Sequence, residues 1–452
     1  MDPIREAPRE VPVAADVDLC VVGGSCTGVF AAVRAARLGL KVAVVEGNGF
    51  FGGVATAGLV CIWHSTFDTQ CKRQVIGGLT VETLERLRKR AAIRELRPPN
   101  AHAHYYLNTE ELKIELDELV REAGPLPYLH ARFAAPVLED GRVVAVVIED
   151  KTGRRAIRAR AFIDATGDGD LIARAGLPWR KGPAPQPSTA CAIFQGLEAL
   201  AEQNPGFAPK VVFDPRHPEA LRKGFLWSAR CVGGGDRTMI AGTRAHGLDC
   251  SDADQLTKAE MECRRQVRAM GDIFRKYFKG GDAVTLVNLA PYIGIRETRH
   301  AECLHTLTER EVLEGTRFPD AIANGSYRVD VHHHDRPGLT FRYLDGTEEV
   351  LEEDGRVRKG RWRPPAPPDP TFYQIPYRCL VPRGSRNVLV AGRLMDADPG
   401  AYGAVRVMVN CNQTGEAAGV AAYLALRQGV EVGQVDSAKL REVLAQGGSV
   451  VL

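Results

Sequence analysis

The sequence predicts an α/β fold, and three observations carry that prediction. Residues 17–22 (VDLCVV) form an apolar run ending at Gly23-Gly24, residues 27–38 (TGVFAAVRAARL) place apolar side chains at helical spacing before Gly39, and residues 41–45 (KVAVV) form a second apolar run ending at Glu46. Short continuous apolar runs bounded by glycine are what strands buried on both faces require, and the helix between them makes a crossover unit. Residues 136–164 (PVLEDGRVVAVVIEDKTGRRAIRARAFID) then read as three strands joined by the turns EDGR and DKTGR. Near the C-terminus a third signal returns, with a buried strand at 387–392 (NVLVAG) and an alanine-rich helix at 414–427.

Between these elements, residues 109–122 (TEELKIELDELVRE) predict a helix with acids in its first turn and Gly124 at its end. From 186 to 370 periodicity weakens while proline, glycine and charge increase, and 345–371 reads as a loop or hairpin excursion. The chain therefore divides into 16–185, an inserted β-rich region at 186–371, a returning part at 372–430 and a tail at 431–452.

At 452 residues the chain is long enough for two or three packed domains. Its 44% hydrophobic and 25% charged residues are those of a globular protein. Lys plus Arg (59) against Asp plus Glu (56) leaves +3, too balanced for nucleic acid or an anionic membrane as the main partner. No apolar run reaches the ~20 residues of a membrane span. The opening segment MDPIREAPREVPVAADVD lacks the apolar core of a signal peptide, so the expected location is cytoplasmic. Eleven scattered cysteines without a C-x-x-C pair fit neither a disulfide framework nor a four-ligand zinc site, and no metal site is expected.

The turn Gly23-Gly24-Ser25-Cys26-Thr27-Gly28 follows the spacing G-x-G-x-x-G, with Ser25 at the second glycine position. The first glycine allows a tight turn, the second a close backbone approach to a pyrophosphate, and the third close packing of helix on strand. The helix N-terminus offers free N–H groups and a favourable dipole to an anion. Glu46, ending the second strand, is placed to accept hydrogen bonds from ribose hydroxyls. These features predict a dinucleotide site.

The blocks GGVATAG (52–58), ATGDGDLIARAG (165–176), GIRETRH (294–300) and DVHHHDRPG (330–338) resemble the bacterial FAD-dependent oxidoreductases of the glutathione-reductase-like superfamily. So do FYQIPYRCLVPRGSRNVLVAGRLMDAD (372–398) and AVRVMVNCNQTGEAAGVAA (404–422), and the resemblance runs from about residue 17 to about 427. It implies a glutathione-reductase-type FAD-binding Rossmann domain, formed by 16–185 and 372–430, with the β-rich region as substrate domain. It also implies cofactor contacts from Gly52, Gly53 and Thr56, from Thr166, Gly167 and Asp168, from Gly392 and Arg393, and from Gln413 and Thr414. A helix beginning near Thr414 would turn its N-terminus to the flavin pyrimidine edge, where reduced flavin gathers negative charge.

An FAD-dependent dehydrogenase or oxidase of this kind needs a base for the substrate proton opposite a hydride path to flavin N5. The candidates are His64, His300, His305, His332, His333, His334, Tyr377, Arg296, Arg299 and Arg393, of which His64, His332, Arg296, Arg299 and Tyr377 are favoured, with Asp330 beside His332. Each has a plainer reading: a loop histidine for His64, a structural ion-pair cluster with Glu297 for the arginines, a core tyrosine for Tyr377. Adjacent histidines in an extended segment face opposite ways, so His332, His333 and His334 do not converge on one ion. Cys61 and Cys71 are too far apart for the redox pair of a disulfide reductase. No second nucleotide unit follows Gly233-Gly234-Gly235, so electrons are expected to leave to oxygen, a quinone or a soluble carrier. A hydratase or isomerase retaining FAD as a structural or electrostatic element is the alternative, and an NAD-binding dehydrogenase a weaker one. The substrate is expected to be small and polar, and the sequence leaves the oligomeric state open, a homo-oligomer included.

Overall fold

The computed structural model describes residues 3–452 except 5, 97–101, 103, 183, 223, 335–337 and 353–355. Residues 335–337 of the 330–338 block and 353–355 of the 345–371 segment therefore lie outside the described residues.

The central sheet grows from the first crossover unit. Strand β1 (Val13–Val22) is followed by helix α1 (Cys26–Arg37) and strand β2 (Val42–Val45), and β1 pairs in parallel with β2 from Leu19–Val42 to Val22–Val45. On its other side β1 pairs in parallel with Gly153–Asp164, Val21 opposite Ile163. The sheet extends from Leu126–Tyr128 through β2, β1 and Gly153–Asp164 to the antiparallel strands Arg142–Asp150 and Arg132–Glu139. Val388–Val390 adds in parallel to the upper end of Gly153–Asp164, so the returning part of the chain completes this sheet. Leu19, Cys20 and Val21 are fully buried, as strands covered on both faces require.

The predicted alanine-rich helix runs from Met408 to Gln428 and so begins six residues before Thr414. It packs on α1 backbone to backbone. A Cβ on Gly415 would stand 2.1 Å from the Thr27 carbonyl oxygen, and one on Gly419 2.4 Å from that of Ala31. This closeness explains the alanines: larger side chains have no room, and the start of α1 is fixed against the returning chain.

The inserted region holds two antiparallel sheets. One has the order Trp227–Arg230, Arg237–Ala241, Ala192–Gln195, Thr285–Leu289. Gly233–Gly235 form the turn of its hairpin. Across it lies a 25-residue helix, Ala253–Tyr277, which the sequence reading passed over. Its buried stripe (Ala259, Cys263, Val267, Met270, Phe274) is narrow in a strongly charged segment, and only the three-dimensional sheet shows what the stripe covers. The other sheet is a meander of Val329–His332, Leu339–Arg342, Thr347–Leu351 and Val357–Arg361, so the predicted excursion is partly hairpin. The tail carries the helix Ser437–Gln446. Among the described residues no helix is long and apolar enough to cross a membrane. All eleven cysteines are free.

Candidate active site

A cleft of about 730 Å³ runs from the start of α1 to the meander of the inserted region. At its first end Gly23 holds φ +103°, and a Cβ there would meet the Ala165 carbonyl oxygen at 2.4 Å. Gly28 packs so tightly on the Gly23 carbonyl that a Cβ would lie 1.8 Å from it. Gly24 donates its N–H to Glu46 Oε2 at 2.8 Å, and Asn48 donates both its backbone and its amide N–H to Glu46 Oε1. Burial pushes the Glu46 carboxyl up, against the pull of those N–H groups. Ser25 stands at the N-cap of α1 yet makes no side-chain cap hydrogen bond, which leaves the first-turn amides without that partner. Gly52, at φ +112°, donates its N–H to the Gly24 carbonyl at 2.9 Å and closes the other wall.

Midway, Asp168 Oδ1 accepts from Arg393 Nη2 at 2.6 Å and from Thr298 Oγ1 at 2.7 Å. The Asp168 loop springs from Asp164, which accepts hydrogen bonds from Thr166, Leu171 and Ile172. Burial raises Asp164 to about 6. Asn412, in the first turns of the Met408–Gln428 helix, lines the cleft, and both its amide atoms are buried without a hydrogen-bond partner.

The far end gathers polar side chains from several elements. Asp330 and His332 alternate along the strand Val329–His332 and line the cleft, as period-two geometry requires, and Arg328 just before the strand lines it too. His333 faces elsewhere, its Nε2 within 3.0 Å of Thr340 Oγ1. Tyr327 donates its hydroxyl to Asp330 Oδ2 at 3.0 Å, and His332 Nε2 lies 3.5 Å from Asp330 Oδ1. Arg406 Nη2 is 3.6 Å from Asp330 Oδ2. His64 stacks at a tilt on Tyr327 with ring centres 4.2 Å apart, and its buried Nδ1 has no hydrogen-bond partner. Burial, with His102, Arg328 and Arg406 nearby, lowers His64 to about 3. Burial and Arg296, Arg244 and Arg406 hold His332 well below the ordinary histidine value, so both imidazoles are neutral at neutral pH.

The sequence-predicted residues thus separate. Gly23, Ser25, Cys26, Thr27, Glu46, Gly52, Gly53, Thr166, Gly167, Asp168, Gly392 and Arg393 line the cleft, as do His64, Arg296 and His332. Gly24 and Gly28 stand behind it as packing and turn positions. Thr56 donates to the Phe51 carbonyl at 2.7 Å. Gln413 is bonded to the Asn324 backbone, and Thr414 spans Cys411 and the Gly392 N–H. Arg299 holds the Asp168 loop from outside, donating to the Asp168 carbonyl at 2.9 Å and to Asp170. Tyr377 is a core tyrosine whose hydroxyl donates to the Val432 carbonyl at 2.6 Å. The side chains that sequence reasoning missed are Asn412, Tyr327, Arg328 and Arg406. The alternation of Arg328, Asp330 and His332 with Val329 and Val331 was the available signal for Arg328.

A family profile described as FAD dependent oxidoreductase matches residues 18–444. The chain belongs to that family. It is an enzyme, and its cofactor is FAD. The uncapped start of α1, the glycine cradle at Gly23 and Gly52, and the unpartnered amide of Asn412 fit such a cofactor. No curated protein matches this FAD-dependent oxidoreductase by sequence. Among solved structures it is similar to a geranylgeranyl bacteriochlorophyll reductase-like protein from Thermoplasma acidophilum, at 12% identity over 96% of this chain and 84% of that one, with a TM-score of 0.48. It is similar also to a flavin-dependent brominase (11% identity, 95% and 83% covered, TM-score 0.46). A third is the p-nitrophenol 4-monooxygenase of Pseudomonas putida (11% identity, 96% and 84% covered, TM-score 0.44).

Proposed function

We propose that this FAD-dependent oxidoreductase oxidises a small polar substrate, for which flavin N5 would supply the hydride acceptor. Bound FAD supplies the two-electron acceptor. The observation that carries the reading is the neutral His332 beside Asp330 and Tyr327, at the end of the cleft away from the α1 N-terminus. His332 would take the substrate proton at its imidazole, and Asp330 would orient the ring and stabilise its charged form. Tyr327, whose pKa burial raises, stays a phenol and holds Asp330 in place. His64, also neutral, is the alternative acceptor for that one proton. Arg296 orients the substrate, and the aromatic rings of Phe225 and Phe341 exclude water from it.

At the other end, the amides of Cys26, Thr27 and Gly28 would receive the pyrophosphate and Glu46 the ribose hydroxyls. Arg393, held by Asp168, and Asn412 would meet the remaining polar edges of the cofactor. The pairing of Val388–Val390 with Gly153–Asp164 supports an FAD domain of glutathione-reductase type built from 16–185 and 372–430, with 186–371 as substrate region. Electrons would leave to oxygen, a quinone or a soluble carrier.

The test is the visible spectrum of the purified chain under anaerobic additions of hydroxy acids, sugars and amines. Bleaching of bound oxidised flavin by one class supports the oxidation, and near-complete loss of that bleaching in His332→Ala with FAD retained supports the base assignment. A flavin that no class reduces would favour the hydratase or isomerase reading.

A further inference from the structure

The end of the cleft at the meander carries more positive charge than its own carboxylates balance. Arg296, Arg328 and Arg406 line it, and Arg244 stands directly behind. Their partners are mostly neutral. Arg296 Nη1 donates to the Pro187 carbonyl at 2.5 Å and to Thr189 Oγ1 at 2.6 Å. Arg244 donates to the same Thr189 hydroxyl at 2.8 Å and to the Phe225 carbonyl at 2.7 Å. Arg328 lies over the Phe341 ring, 3.6 Å from its centre, and its Nη1 reaches the Tyr343 hydroxyl at 3.3 Å. Among the described residues only Arg406 forms an ion pair at this end, and Asp330, its partner, is shared with Tyr327 and His332.

Two donor atoms here are unspent. The Nε atoms of Arg328 and Arg406 are buried and have no hydrogen-bond partner. Burial and the nearby cations Arg244 and Arg406 press Arg296 well below its ordinary value, and burial holds Arg244 down at about 10. Guanidinium does not give up its proton in a protein, so the strain persists as a positive field that Asp330, Glu297 near Arg406 and Glu349 near Arg328 offset only in part. An anion entering this end would offset it, and paired N–H groups suit a two-oxygen acceptor. A neutral polyol would leave the field as it is, and an amine, protonated at neutral pH, would add to it.

We infer that the substrate carries an oxyanion group, a carboxylate or a phosphate ester, received by Arg296, Arg328 and Arg406. This rests on the proposed oxidation and narrows its substrate class. The aromatic walls of Phe225, Tyr327 and Phe341 limit the rest of that molecule to a small organic skeleton.

The experiment is calorimetric titration of the oxidised, FAD-loaded full chain with malonate, methyl phosphate and neutral malonamide, following the flavin spectrum in parallel. At least one anion is expected to bind and perturb the flavin bands, while malonamide does neither. Binding of malonate alone identifies a carboxylate site, and binding of methyl phosphate alone a phosphate site. Arg328→Gln and Arg406→Gln should each weaken the anion by about tenfold or more, as loss of a charge-assisted contact does. The wild-type comparison of charged with neutral probes does not depend on the variants folding. Indifference to both anions, or malonamide binding as tightly as malonate, would overturn the inference while leaving the FAD reading intact. A chain that takes up no FAD would overturn both.

Discussion

Asn412 shows how a single residue can be at odds with its surroundings until a ligand arrives. Both ends of its amide are buried without partners, so the ligand-free protein carries a desolvation cost there. Asn412→Leu should therefore leave the FAD-free protein equally or more stable, while FAD affinity falls about tenfold for one to two lost hydrogen bonds of ~1 kcal/mol each. Fluorescence titration with FAD and denaturant unfolding of the FAD-free protein read the two effects, and an unchanged FAD affinity would refute the role. Asp164 makes a prediction about pH. Its folded value of about 6 exceeds the ordinary 3.8, so the native state holds its proton more tightly than the unfolded chain. The stability linked to this group is fully present below about 4 and is lost as pH rises through about 6. Asp164→Asn removes that titration, so its unfolding free energy should decline less steeply between pH 4 and 6 than that of the wild type.

At the scale of elements, the site depends on two helices meeting at glycine. Gly415 and Gly419 let the Met408–Gln428 helix reach the backbone of α1 at Thr27 and Ala31, and this contact fixes the uncapped α1 N-terminus opposite Asn412. Gly415→Ala should cost about 2–3 kcal/mol, at the upper end of overpacking effects, because the atom it meets is backbone and cannot rotate away. Gly360, in an exposed strand with nothing within 4 Å of a Cβ, is the control, and Gly360→Ala should leave the melting temperature nearly unchanged. A Gly415→Ala protein that melts like the control would show that the helices can separate freely. The strand Val329–His332 combines this device with alternation: Gly403 packs on the Asp330 backbone, where a Cβ would stand 2.8 Å from the carbonyl oxygen, and Asp330 and His332 turn to one space.

For the whole molecule, the ends of the chain are tied through a buried ion pair. Arg34 of α1 pairs with Glu416, which also accepts the Leu79 N–H at 2.9 Å, and Arg34 donates to the Gly447 carbonyl at 2.8 Å. The last residues continue the tie: the Gly448 carbonyl accepts from the Gly78 N–H and the Val450 carbonyl from Asn324 Nδ2. Arg34→Met leaves a buried carboxylate without its counterion and should destabilise the fold by about 3–5 kcal/mol. Arg34→Met with Glu416→Leu should recover part of that loss, since the pair itself contributes little against apolar residues of similar size. Denaturant unfolding of the two variants checks this, and a double variant less stable than the single one would contradict it.

Much of this protein was legible in one dimension. The first crossover unit, the β-meander at Arg132–Asp164, the helix Thr109–Ala123 and the strand at Val388–Val390 all lie within a few residues of their sequence positions. Their signals are local: apolar period, glycine at a turn, acids at a helix start. The glycine turn and the family blocks likewise pointed to FAD. The helix Ala253–Tyr277 was missed although Ala259, Cys263, Val267, Met270 and Phe274 recur at helical spacing behind Asp252, because charged residues dominate its composition. Nor could sequence separate Thr414 and Gln413, spent on backbone contacts, from Asn412 one residue away, because that choice depends on helix phase and on where the helix starts. Tyr377 and Arg299 are chemically suited to a site and sit outside this one, whereas Arg328 and Arg406 come from separate segments and face one space. Residue order by itself determined the first crossover unit, since that rests on contacts between near neighbours, and the cofactor followed from the resemblance of blocks spread along the chain. Tertiary structure alone decided which arginines and histidines share a chamber, since convergence and burial are properties of the folded surface and of no segment by itself.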